Sequence, residues 1–168
     1  MSRTMPPEHL QPSLLDRLTD DAPLQAQEPR QERFFGVRRL REAVLRDLRW
    51  LLNASCPVAL DDAHAPALDA GVLDYGLPAL AGRCASSLDV DRLALQVRDC
   101  VRRFEPRILP ASLSVQVLGR PQDGAGQQLS MRIEGELWAV PAPLRILVNT
   151  CFDLESGRVS VDDGGIAR

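Results

Sequence analysis

The chain has 168 residues, 45% of them apolar, with a net charge of −3. That is enough to close one hydrophobic core and too apolar for a disordered chain, and the charge is too small to suggest steering toward nucleic acid or membrane. All 20 basic residues are Arg, so no lysine is available as a nucleophile or for a Schiff base.

The first 33 residues are rich in Pro, Gln and charge, with Pro6, Pro7, Pro12, Pro23 and Pro29 breaking any long element. They read as a largely flexible tail holding one short helix. Ser13 offers a cap, and Leu14, Leu15 and Leu18 follow at helical spacing. This helix either docks on its own core or serves as an anchor for a partner's groove. No basic region followed by an apolar run suggests a signal peptide, and no apolar run approaches the ~20 residues of a membrane span, so a cytoplasmic protein without membrane insertion is expected.

The single domain is expected over residues 34–163. From Val37 to Asn53, Val37, Leu40, Val44, Leu48, Leu51 and Leu52 recur at three and four, which predicts an amphipathic helix. Five arginines against two acids make its polar face basic, by default a solvated face and otherwise a surface for acidic partners. Trp50 is expected to pack at the stripe's edge. Residues 54–71 read as a loop in which His64 lies among Asp61, Asp62 and Asp69. One His without convergent ligands does not make a metal site. The cysteines at 56, 84, 100 and 151 match no zinc spacing and read as free thiols.

Val72-Leu73-Asp74-Tyr75-Gly76-Leu77-Pro78 reads as a turn, with Gly76 allowing positive φ and Pro78 fixing the exit. Ser86, Ser87 and Asp89 are alternative caps for a second long helix, whose stripe is Val90, Leu93, Val97, Val101 and Phe104. Pro106 ends it near Phe104. Glu105 then faces the negative end of the helix dipole, an unfavourable placement worth roughly 0.3–1 kcal/mol. Arg102, Arg103 and Arg107 are close enough in sequence to compensate it.

After Pro110 the period becomes two. Leu113, Val115 and Val117 share one face of a first strand; Leu129, Met131, Ile133 and Leu137 share one face of a second. Leu144 to Leu154 alternates as a third, and Val159 and Val161 mark a short fourth, with residues 164–168 expected to fray. The expected fold class is α+β, two or three helices packed on one face of a small, mostly antiparallel four-stranded sheet. Its two edges could accept another strand.

No phosphate-binding Gly loop, Gly-x-Ser-x-Gly or His-Glu-x-x-His occurs, and no cofactor, metal or small-molecule substrate is implied. A glycosidase needs two carboxyls across a cleft with split pKa values. The candidates are Glu105, which arginine would hold charged, and Glu134 and Glu136, which share the expected solvent face of one strand.

Phe104-Glu105-Pro106-Arg107 after such a helix, with Tyr75-Gly76-Leu77-Pro78 and the order of helices and strands, resembles the phage baseplate-wedge family, historically labelled lysozyme-like. Leu14-Leu15-Asp16-Arg17-Leu18 and Leu51-Leu52-Asn53 resemble its bacterial branch, the TssE subunits of type VI secretion systems. Asp74 and Ala79 depart from the family's usual Asn and Asp. The resemblance implies a non-catalytic baseplate component that joins the wedge subunits TssF, TssG and TssK and starts the TssB/TssC sheath by strand addition. It places partner contacts at Glu105, Pro106, Arg107, Arg102 and Arg103, and on the anchor reading at Leu14, Leu15 and Leu18. The competing roles are a phage-tail wedge and a peptidoglycan hydrolase. On this reading an Arg107→Ala chain stays folded and loses its partners.

Overall fold

The computed structural model describes residues 13–19, 36–56, 74–82, 88–120, 127–139 and 142–165. The helices are α1 (Leu14–Leu18), α2 (Val37–Asn53) and α3 (Val90–Phe104), and the strands β1 (Ser114–Gly119), β2 (Gln128–Leu137), β3 (Leu144–Asp153) and β4 (Val159–Asp163). The fold is α+β, as the change of period at Pro110 implies. His9, His64, Cys84, Ser86 and Ser87 lie outside the described residues.

Asp89 is the cap that α3 uses: its Oδ1 accepts from the Arg92 N–H at 2.9 Å. The strands form one antiparallel meander in the order β1-β2-β3-β4. Leu129, Met131, Ile133 and Leu137 of β2 and Ile146, Val148 and Phe152 of β3 are fully buried on one face. There α3 lies along β1 and α2 along β4 and β3. From the helices, Val44, Leu48, Val97 and Val101 meet this face with no exposed surface. Each such aliphatic side chain contributes roughly 1.5–3 kcal/mol of burial. Tyr75 packs edge-on against Phe104 at 5.3 Å between ring centroids, so the turn before α3 does cover the helix layer.

Two glycines are structural requirements. Gly76 has φ +115°, and a Cβ there would fall 2.2 Å from the Ala54 carbonyl oxygen. Gly135 sits mid-strand because Ile108 fills the space a side chain would take, its Cγ2 2.7 Å from that Cβ position. Ile108 belongs to a short extension of the sheet. Its neighbours pair with β2 through Leu109 N–H to Glu136 O and Trp138 N–H to Arg107 O, both 2.8 Å.

The basic face of α2 is solvated at Arg38, Arg39 and Arg49, as expected, but not throughout. Arg41 is buried and pairs with Asp163 at the end of β4, Arg49 donates to the Val161 carbonyl at 3.1 Å, and Arg46 is held by two aspartates. These guanidiniums meet acids and carbonyls brought by remote segments, which helical spacing alone does not reveal. Trp50, expected to pack, is 52% exposed, with Arg46 over its ring at 5.1 Å.

Candidate functional site

The turn after α3 is a corner built on Glu105. Its N–H closes the helix on the Val101 carbonyl at 2.8 Å, and its side chain turns inward, leaving the residue 2% exposed. A buried carboxylate is costly unless paired in good geometry. Arg107 supplies that pairing with a two-pronged grip, Nε donating to Oε1 at 2.6 Å and Nη2 to Oε2 at 2.5 Å. Its backbone N–H also reaches Oε1 at 3.3 Å. Of the three arginines near Glu105, only Arg107 compensates it. Arg102 pairs with Asp99, and Arg103 with Asp74 while lying over Phe104. They precede Glu105 closely in sequence, but the helix turns them outward.

Arg107 also holds Asp47 of α2 through Nη2 at 2.5 Å, and its Nη1 is buried without a partner among the described residues. Burial opposes the positive charge on Arg107, but Glu105 and Asp47 outweigh it and raise its pKa above the usual value. Asp47 in turn accepts from Arg46 Nε at 2.9 Å, and Arg46 Nη1 reaches Asp16 of α1 at 2.7 Å. Asp16 completes the path with Ser13, whose hydroxyl donates to it at 2.5 Å. Burial raises the Asp16 pKa, but the Ser13 and Arg46 bonds overcome it and hold the carboxyl below its ordinary value.

The corner therefore faces two ways. Glu105 is buried and Arg107 half-buried, while Pro106, Arg102 and Arg103 are exposed around them. On α1, Leu14, Leu15 and Leu18 are 70%, 43% and 74% exposed, and the helix buries none of its residues. The structure brings α1 and the corner into one path of charges, through Arg46 and Asp47.

The sheet edges differ. In β4 the backbone N–H and C=O groups that point away from β3 belong to Val159, Val161 and Asp163. Asn53, the last residue of α2, covers the first of these like a mock strand: Nδ2 donates to the Val159 carbonyl at 2.9 Å and Oδ1 accepts from the Val159 N–H at 3.0 Å. Arg49 takes the Val161 carbonyl. In β1 the register with β2 turns Ser114 and Gln116 inward, so Val115 and Val117 carry the outward row. No described residue bonds to it. Beside it lies a surface groove of about 690 Å³ lined by Ala94, Leu95, Val117 and Leu118, with Arg120 paired to Asp91 at one end. Sequence reasoning missed Asn53, Arg49, Asp47 and Arg46. The only signal was their place on the α2 surface; their partners lie in other segments.

Among the described residues the three candidate carboxyls do not form a hydrolytic pair. Glu105 is held by arginine, Glu134 is paired with Arg145 at 3.1 Å, and Glu136 is exposed on the same open face. A smaller cavity of about 310 Å³ is floored by Cys56, Leu77, Cys100 and Phe104. Burial pushes the Cys100 thiol up to about 11, so it stays protonated at neutral pH. Among the described residues no three His, Cys, Asp or Glu side chains converge as a metal site, and no helix is long and apolar enough to cross a membrane.

No curated protein and no solved structure matches the chain. The family model described as baseplate wedge protein gp25 matches residues 38–142, a span that holds α2 but for Val37, α3, β1, β2 and the whole Glu105 corner and leaves α1, β3 and β4 outside. With that match over most of its length, the chain belongs to the baseplate wedge protein gp25 family.

Proposed function

We propose that the chain is a non-catalytic subunit of a type VI secretion baseplate in the bacterial cytoplasm, joining TssF, TssG and TssK and giving the TssB/TssC sheath its first template strand. Family membership supports a baseplate role. The stretches Leu14-Leu15-Asp16-Arg17-Leu18, Leu51-Leu52-Asn53 and Tyr75-Gly76-Leu77-Pro78 favour the type VI branch over a phage tail.

The observation that carries templating is the asymmetry of the sheet: α2 side chains bond to Val159 and Val161 on the β4 edge, whereas among the described residues none bonds to the β1 edge, which lies beside a groove lined by Ala94, Leu95, Val117 and Leu118. A sheath strand added at β1 would draw affinity from main-chain hydrogen bonds and register from side chains seated against Ala94 and Leu95. Wedge subunits would meet Pro106, Arg102 and Arg103 on a surface that Glu105 and Arg107 hold rigid, and Leu14, Leu15 and Leu18 on α1.

The test is Val115→Pro. Proline at an outward-facing edge position removes a donor without breaking the chain's own ladder. The variant should keep its fold and its co-purification with TssF, TssG and TssK, yet fail to start sheath in a reconstituted baseplate. Normal sheath assembly on Val115→Pro would refute templating at β1. Absence of the wedge subunits from a pull-down on the wild-type chain would refute the baseplate assignment itself.

A further inference from the structure

Five charged side chains alternate in sign along one path: Asp16, Arg46, Asp47, Arg107 and Glu105. The path joins α1, α2 and the turn after α3. Its side chains range from 3% to 31% exposed, so water screens them only in part.

The way α1 sits at the start of this path is unusual. A helix of five residues does not persist in water by itself, and α1 buries none of its residues. At 100° per residue Asp16 lies nearly opposite Leu14 and Leu18. The Asp16 side chain is 5% exposed against the body, while the leucines look outward. Soluble helices normally do the reverse. Among the described residues, the Asp16–Arg46 pair is the charged contact that fastens α1 to the body.

We propose that α1 is a releasable arm whose state is relayed to the Glu105–Arg107 corner through Arg46 and Asp47. With Asp16 withdrawn, Arg46 keeps a single acid, Asp47, and pulls on it more strongly. Asp47 Oδ2 is the oxygen that Arg107 Nη2 holds, so that contact loosens and Arg107 rests on Glu105 alone. A neighbouring subunit whose apolar groove takes up the three leucines and draws α1 away would thereby free a guanidinium edge at the corner. A partner that captures Arg107 would reciprocally alter the hold on α1, because such coupling is symmetric. The use of this relay in assembly rests on the baseplate reading. The relay itself is a property of the isolated chain and is tested there.

The test is NMR on the full chain, reading amide exchange in α1 and the Nε–Hε resonances of Arg46 and Arg107. The Arg17 and Thr19 amides, bonded to the Ser13 and Leu15 carbonyls, report on the arm. Asp16→Asn should speed their exchange about fivefold, the scale of one partly exposed ion pair, and shift the Arg107 resonance. Asp16→Glu, which keeps the charge, should hold both near wild type. In an Asp47→Asn background, Asp16→Asn should move Arg107 no further. Unchanged α1 exchange in Asp16→Asn overturns the arm. A loosened arm with Arg107 unmoved, or an Arg107 shift that persists in the Asp47→Asn background, overturns the relay. These outcomes need no partner, so they stand apart from a failed pull-down, which would fault the baseplate assignment.

Discussion

Arg107 is engaged on two sides, and removing it should be felt first as lost stability. Arg107→Ala strands a buried carboxylate, and breaking such a pair costs about 3 kcal/mol. Chemical denaturation should show that loss, and the double variant Glu105→Ala/Arg107→Ala should recover part of it, since no charge is then left unpaired. The sequence-based expectation that Arg107→Ala only uncouples partners takes no account of this cost. Loss of partners in that variant is informative only when a milder change, such as Arg102→Ala/Arg103→Ala, produces it too. Gly76 makes a second residue-scale prediction. Gly76→Ala forces a side chain onto the Ala54 carbonyl at positive φ and should lower stability by at least about 2 kcal/mol by thermal unfolding. Positive φ at Gly76 was legible from Tyr-Gly-Leu-Pro. The clash was not, because Ala54 arrives there through the bridge between Ser55 and Leu77.

Among the elements, α2 carries the most contacts that spacing could not announce. Its apolar stripe was plain in the sequence. The tasks of Arg41, Arg46, Arg49 and Asn53 were not, since each is defined by a partner on α1 or β4. Asn53→Ala leaves the Val159 N–H and C=O without the amide and should cost about 1–2 kcal/mol, with faster exchange of the Val159 amide as the specific sign. The acid response of α1 follows from Asp16, and that of the β4 end from Asp163. Burial opposes the charge on both, but bonds to Ser13 and Arg46 at Asp16, and to Arg41 and the Gly165 N–H at Asp163, hold each below the ordinary 3.8. A depressed carboxyl contributes stability that is complete above its unfolded value and is lost as pH falls through the folded one. Protection of α1 and of the end of β4 should thus hold from neutral pH down to about pH 4 and fade below it, as pH-stepped exchange would show.

At the scale of the molecule, period and order were enough for the fold. Threefold and fourfold spacing before Pro110 and twofold spacing after it place every long element, and the resemblance at the Glu105 corner matches the family found. What one dimension withholds is which surface each charge meets. Asp16 and Asp47 are 31 positions apart, and Asp47 and Arg107 are 60 positions apart, yet they join in one path. The closure of β4 has a consequence for growth. Among the described residues the β4 rim carries side-chain cover at Val159 and Val161 and the β1 rim carries none, so a newcomer strand meets less obstruction at β1. Two copies pressed together at β1 would use that rim up, while at the opposite rim the amide at the tip of one helix already holds the place a strand would take at Val159.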